Sequence, residues 1–174
     1  MRMTGILASI VCAGAIVAAQ AEVTKQSVPG IVNFAKVETT VACAGATTPA
    51  ALADVKKMGF ASVINLRQAN EPGVDIDAST AAAKAAGLNY IHIPFNATSP
   101  DPSAVDNFLK AVTDKANQPV FIHCASANRA AAMWMVKRLV VDKWDVERAS
   151  AEATALGLTS SALKTFAIEQ AKTR

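Results

Sequence analysis

Short apolar runs alternate along this chain with longer stretches whose apolar positions recur every third or fourth residue. Residues 31–37, 39–43, 61–66, 89–94 and 120–123 are short and rich in branched or aromatic side chains, so they read as strands. The longer stretches carry helix punctuation. Thr48-Pro49 opens one with an N-cap and a proline at the first helical position, and Gly59 stops it. An alanine-rich helix follows over 77–86, stopped by Gly87. Asp101-Pro102 opens the next, to about residue 116, with Val105, Phe108, Leu109 and Val112 on one face. Helices are also predicted over 128–141, 145–155 and 160–172, the last two separated by Gly157. Residues 23–28 show no such pattern and are expected to be a loose start.

Strand and helix alternate from residue 48 onward. That order predicts an α/β single domain, with a mostly parallel central sheet flanked by helices. Ligands bind such sheets at the carboxyl ends of the strands. Three segments leave those ends together: the charged loop from Arg67 to Asp75, the loop from Phe95 to Pro100, and the stretch after His123.

The first 21 residues stand apart. Arg2 precedes an uncharged apolar run over 6–19, and Ala19-Gln20-Ala21 has the small-x-small form of a cleavage site. The run is short for a membrane-spanning helix, which needs about 20 residues. Residues 1–21 are therefore expected to be a signal peptide cleaved after Ala21, leaving 22–174 as one secreted or periplasmic domain with no stable membrane anchor. Cleavage removes only Arg2 among the charges, so the net charge of +3 becomes +2. That is too mild to point to nucleic acid or an anionic surface. Two cysteines remain, Cys43 and Cys124, and neither they nor the histidines show metal-ligand spacing.

The candidate chemistry lies in 119–133. A buried strand ends at His123-Cys124, a tight loop follows, and a helix starts near Asn128 with Arg129 at its mouth. Such a loop can point backbone N–H groups inward, and the helix adds unpaired N–H groups and the positive end of its dipole. The result is an anion cradle with a thiol at its floor. The same field favours thiolate, the nucleophilic form. Arg129 can grip two oxygens of a tetrahedral anion. The plain alternative is a structural core cysteine near a surface arginine.

These residues carry a resemblance. His123-Cys124-x4-Arg129 after an apolar strand resembles the signature loop of the cysteine-dependent protein tyrosine and dual-specificity phosphatases. The run from Ala61 to Arg67 with Glu71, Tyr90-Ile-His-Ile-Pro94, and the loop followed by Trp134 resemble the phosphatase-like domain of beta-lactamase hydrolase-like proteins, over roughly residues 31–158. The resemblance implies a phosphomonoester hydrolase that needs no metal or cofactor. Cys124 would attack phosphorus and form a phosphocysteine, while Arg129 and the amides of Ala125, Ser126, Ala127 and Asn128 hold the phosphoryl oxygens. Its partner would be a phosphorylated substrate of unstated identity.

The sequence departs from the common phosphatase pattern in several places. Four residues separate Cys124 from Arg129, where five are usual. Ala127 stands where glycine is common, and Ala130 where a hydroxyl usually assists the second step. The general acid of the family would fall near Asn96 or Ala97, so Asp101 is the nearest candidate, although Asp before Pro is equally a helix cap. His123 reads as a support for the thiol, or as a core histidine satisfied by backbone. Arg67 and Glu71 either line the pocket or pair with each other at the surface. Cys43 has three readings: an inert buried thiol, a reversible partner of Cys124, or half of a structural disulfide. Two rivals remain open. Rhodanese-like sulfurtransferases often use a C-x4-R loop, and a pseudophosphatase would bind a phosphorylated partner without turning it over.

Overall fold

The computed structural model describes residues 22–174; the expected signal peptide lies outside them. Six strands form one sheet: β1 (Val23–Val28), β2 (Ile31–Val37), β3 (Val41–Ala44), β4 (Ser62–Asn65), β5 (Asn89–His92) and β6 (Val120–His123). Their spatial order is β1-β2-β3-β6-β4-β5. β1, β2 and β3 pair antiparallel, and β3, β6, β4 and β5 run parallel. The helices are α1 (Leu52–Lys57), α2 (Ile76–Ala86), α3 (Pro102–Thr113), α4 (Asn128–Val140), α5 (Val146–Ala155) and α6 (Ser161–Thr173). The fold is thus the α/β arrangement that the alternating pattern predicts, extended by an antiparallel hairpin.

Successive strand residues face opposite sides of a sheet, and the parallel strands use both. Phe121, Val63, Ala42 and Ala44 pack with Leu52 and Val55 of α1 and Ala83 of α2. Ile122, Ile64, Val41 and Cys43 pack against α3 to α6 on the other side. Phe34, Phe60 and Phe121 meet at centroid distances of 5.9–6.4 Å on the first face. Burying each such ring contributes about 1.5–3 kcal/mol. Both faces being covered explains why these strands read as continuous apolar runs.

Residues 23–28 form strand β1, not a loose start. The strand is largely exposed, so no apolar alternation marks it. It is held by its ladder to β2, reached through Pro29-Gly30 with Gly30 at φ +74°. A side chain at Gly30 would also run into Thr48.

Four helices begin on a capping side chain: Asp75 for α2, Asp101 for α3, Asp145 for α5 and Ser160 for α6. Helix α4 does not. Its N-cap is Ala127, left-handed at φ +79°, with no side chain to occupy the first-turn N–H groups.

Candidate active site

Cys124 follows directly on β6 and is almost wholly buried. Its N–H donates to the Ala44 carbonyl at 3.1 Å, so the sheet still holds the backbone at this residue. The next residues are tied from outside. Ala46 N–H donates to the Ala125 carbonyl at 2.8 Å, and Asn33 Nδ2 donates to the Ser126 carbonyl at 3.3 Å. In a trans peptide the C=O and N–H point opposite ways. The Ser126 N–H therefore points away from the strand edge that holds the Ala125 carbonyl. Gly45 permits this approach, since a Cβ there would lie 2.9 Å from the Ala125 oxygen. Asn33 of β2 and Gly45, just after β3, support the loop from outside it, and no motif announces them.

Arg129 is the most constrained polar side chain of the site. Its Nη1 donates to Glu71 Oε1 at 2.5 Å, to the Phe95 carbonyl at 3.1 Å and to the Leu66 carbonyl at 3.2 Å; its Nη2 donates to Glu71 Oε2 at 2.8 Å. The guanidinium also lies beside the Cys124 sulfur. The three segments leaving β4, β5 and β6 thus converge on this guanidinium, as the topology predicts. Burial opposes its charge, but the Glu71 bonds and the neighbouring Cys124 outweigh that and raise its pKa.

Glu71 is a hub. It also accepts from Arg67 Nε at 3.1 Å and from the Gln68 N–H at 2.8 Å. The Arg129 hydrogen bond, ahead of partial burial that acts the other way, lowers its pKa to about 2. Glu71 pairs with both arginines, so the surface pair considered from sequence is part of the site. Arg67 is buried and donates through Nη2 to the Pro72 carbonyl at 2.7 Å.

His123 is buried and stacks on Phe121, with centroids 5.8 Å apart. Burial first, then the Arg67 charge, lowers its pKa to about 3, so it is neutral. Its Nδ1 meets no hydrogen-bond partner of good geometry among the described residues, while the Cys124 backbone lies close enough to act on the ring in the opposite sense to burial. A small cavity of about 20 Å³ lies among His123, Arg67, Asn65, Asp75 and Ser79.

The other expected residues divide between the loop and its surroundings. Asn128 Oδ1 accepts from the Thr159 and Ser160 N–H groups at 2.7 and 2.9 Å, pinning the α5–α6 turn. What Asn128 has left for an anion is its backbone N–H in the first turn of α4. Ala127 is buried and in van der Waals contact with Gly157, where an added Cβ would meet the Ala127 methyl at 3.1 Å. Asp101 caps α3, accepting from Ser103 N–H at 2.8 Å and Oγ at 2.6 Å. The Ser103 hydroxyl, then its N–H, lowers the Asp101 pKa. Asp101 lines a cavity of about 430 Å³ with His92, Lys110 and Asp114, a space bordered by none of the cradle residues.

Cys43 and Cys124 are both free, buried thiols. Cys43 pairs in register with Ile122, two residues before Cys124 and on the same sheet face. Burial, then the Cys124 charge, raises the Cys43 pKa well above the usual thiol value. Cys43 is therefore a protonated core thiol.

A family model described as beta-lactamase hydrolase-like protein, phosphatase-like domain, matches residues 33–141. Beta-lactamase hydrolase-like proteins of two Xylella fastidiosa strains, Temecula1 and 9a5c, are each 33% identical over 88 residues, or 48% of this chain. The chain matches only 20% of the length of these relatives. Among solved structures, a Shewanella putrefaciens CN-32 protein assigned as a phosphatase superposes with a TM-score of 0.70 at 19% identity, covering 83% of this chain and 89% of that one. Pseudomonas aeruginosa TpbA in complex with pTyr gives 0.61 at 18% identity, covering 90% and 89%. The PP-IP phosphatase SIW14 of S. cerevisiae gives 0.66 at 16%, covering 82% and 87%. At these identities the structural likeness establishes the fold, and the family model carries the assignment: the chain belongs to the phosphatase-like domain family of the beta-lactamase hydrolase-like proteins.

Proposed function

We propose that this chain is a cysteine-dependent phosphatase that hydrolyses a phosphomonoester through a phosphocysteine, and that it works outside the cytoplasm after its leader is removed. One observation carries the reading: a buried cysteine ends a parallel strand directly beside an arginine held by a glutamate and two carbonyls, at a helix start that no side chain caps. Two guanidinium groups, Arg67 and Arg129, face one carboxylate, Glu71, which leaves one positive charge and the helix dipole for a phosphoryl dianion.

In the first step the Cys124 thiolate forms an S–P bond as the P–O bond to the leaving group breaks, and the leaving oxygen takes a proton. Water then forms a new P–O bond as the S–P bond breaks, releasing inorganic phosphate and returning the thiolate. The phosphoryl oxygens would lie against Arg129 and the orphan N–H groups of Asn128, Arg129 and Ala130. A groove of about 690 Å³ runs along the side of the loop where Asn33 holds the Ser126 carbonyl, lined by Ser126, Asn128, Asn33, Lys25 and Thr159. Asp101 would supply the leaving-group proton only from a loop position other than its cap. Ala130 offers no hydroxyl to assist thiolate departure, so the second step is the slower one.

The test is hydrolysis of an aryl phosphate by the reduced protein, beside Cys124→Ser, with sulfur transfer from thiosulfate to cyanide assayed in parallel. Phosphate release abolished by the substitution, preceded by a burst of one product equivalent, is the expected result. Thiocyanate without phosphate would move the chain to sulfur transfer. Phosphate binding without turnover would make it a binding protein.

A further inference from the structure

We propose that a bulge in β2 sets the anion cradle, with Asn33 as the positioning residue that keeps the amides of the cysteine loop turned toward the phosphoryl group; this rests on the phosphatase reading above. The ladder between β1 and β2 slips at one point. Gln26 faces Phe34 and Val28 faces Ile31, so Val32 and Asn33 together stand against Ser27. Asn33 takes up the slack in the left-handed region, at φ +50°, which asparagine enters more readily than most residues. The effect reaches the other edge of β2. Val32 and Ala46 continue the register of Ala35 with Cys43, and a regular pair would exchange two hydrogen bonds. Val32 N–H does donate to the Ala46 carbonyl at 2.9 Å, but the Val32 carbonyl accepts from Gly45 N–H at 2.7 Å instead. Ala46 N–H is released, and it holds the Ala125 carbonyl.

The same bulge aims the Asn33 side chain at the Ser126 carbonyl. Two consecutive loop carbonyls are thus held outward by β2 and the segment after β3. In a trans peptide each C=O opposes the next N–H. Ala46 therefore turns the Ser126 N–H, and Asn33 the Ala127 N–H, away from that edge. There they add to the uncapped N–H groups at the start of α4. Amides already turned cost nothing to orient when the anion arrives, whereas a free peptide unit could present its carbonyl to the anion and repel it. Gly45 lies between the two supports: a Cβ there would sit 2.9 Å from the Ala125 oxygen and 3.1 Å from the Val32 Cβ. The Asn33 bond borders the open groove, where water competes for it, so its effect is moderate.

Asn33→Gly accepts the positive φ and removes only the amide. Calorimetric titration should show inorganic phosphate and orthovanadate binding more weakly by about 3–10-fold, the scale of one hydrogen bond. Toward an aryl phosphate kcat should fall by a similar factor, with KM changed less. Asn33→Asp keeps the shape but has no N–H to donate, and should lose at least as much. Gly45→Ala pushes directly on the Ala125 carbonyl and should weaken both anions by about tenfold or more. The double variant Asn33→Gly, Gly45→Ala should lose less than the product of the two, because both act on one loop. A merely structural role would lower Tm or the folded fraction and leave the affinity of each folded molecule as it was. Wild-type affinity in Asn33→Gly or Asn33→Asp, or full multiplication of the two losses, overturns the proposal. If Gly45→Ala does not fold, the two Asn33 variants decide alone. A wild-type protein that binds both anions but hydrolyses nothing sinks the phosphatase reading, while the Asn33 variants still judge the cradle. A wild type that binds neither overturns both.

Discussion

Helix α4 carries one arginine in its first turn and another in its last, and each is forked onto a glutamate. Arg138 donates through Nε and Nη2 to Glu152, through Nη1 to Asp142 and through Nη2 to Glu38, at 2.5–3.0 Å. Its guanidinium lies 4.0 Å from the Trp144 ring centroid and 4.6 Å from that of Trp134. Trp134 also donates to Glu152 at 2.6 Å. Every nitrogen is used and the group sits among indole rings. Arg129 has one carboxylate, shared with another arginine, and the Cys124 sulfur beside it. The same pair of residue types is a closed staple at one end of the helix and an open clamp at the other. Three carboxylates around Arg138 satisfy it; one shared carboxylate at Arg129 leaves charge to spare.

The comparison breaks most clearly at Arg138. Arg138→Met strands Glu152, which is buried, and should cost about 3–5 kcal/mol. At about 2–4 °C per kcal/mol for a chain of this size, Tm should fall by roughly 6–20 °C. Turnover per folded molecule at low temperature should stay near wild type. Arg129→Met should do the reverse, removing phosphate binding and turnover while costing about 1 kcal/mol in denaturant titrations, because water reaches Glu71. A Tm loss at Arg129→Met as large as at Arg138→Met would erase the distinction.

The cradle end also titrates. His123 holds a folded pKa near 3, against about 6.5 unfolded. The unfolded chain then binds the extra proton between those values, so stability declines as pH drops from about 6.5 to 3. The loss is a few kcal/mol, at about 1.4 per unit. Glu71, depressed to about 2, adds a loss below about pH 4.5. Urea titrations across pH should show this slope shrink in His123→Gln. No change in slope would mean the imidazole is not held neutral.

Two smaller effects sharpen the picture of the loop. Ala127→Gly relieves a left-handed alanine that costs about 1 kcal/mol, partly offset by greater freedom of the unfolded chain. Net stability should change by less than about 1 kcal/mol. Asp101→Asn keeps a good helix cap, so Tm should hold. If Asp101 only caps α3, kcat is unchanged for both poor and good leaving groups. A kcat loss confined to poor leaving groups would make it the acid.

Much of this was legible from local signals. The cap at Asp101 follows from a short polar side chain competing for helix N–H groups, and the helices expected from residues 145 and 160 begin there on Asp145 and Ser160. The left-handed Ala127 fits the glycine expected there by resemblance. Strand β1 was missed because it is exposed on both faces and leaves no alternation. Asn33 and Gly45 were missed because holding a carbonyl outward leaves no motif.

By itself the sequence determined which residues share a sheet face, where helices begin and stop, and that a thiol and a guanidinium flank one tight loop. These depend on neighbours a few positions apart, whose geometry the backbone period sets. Only the tertiary structure decided which carboxylate each arginine meets. Glu71 lies 58 residues from Arg129, and Glu38 lies 100 from Arg138. Charge attraction carries no address along the chain, so it is the order of strands in the sheet that makes one arginine a staple and leaves the other open.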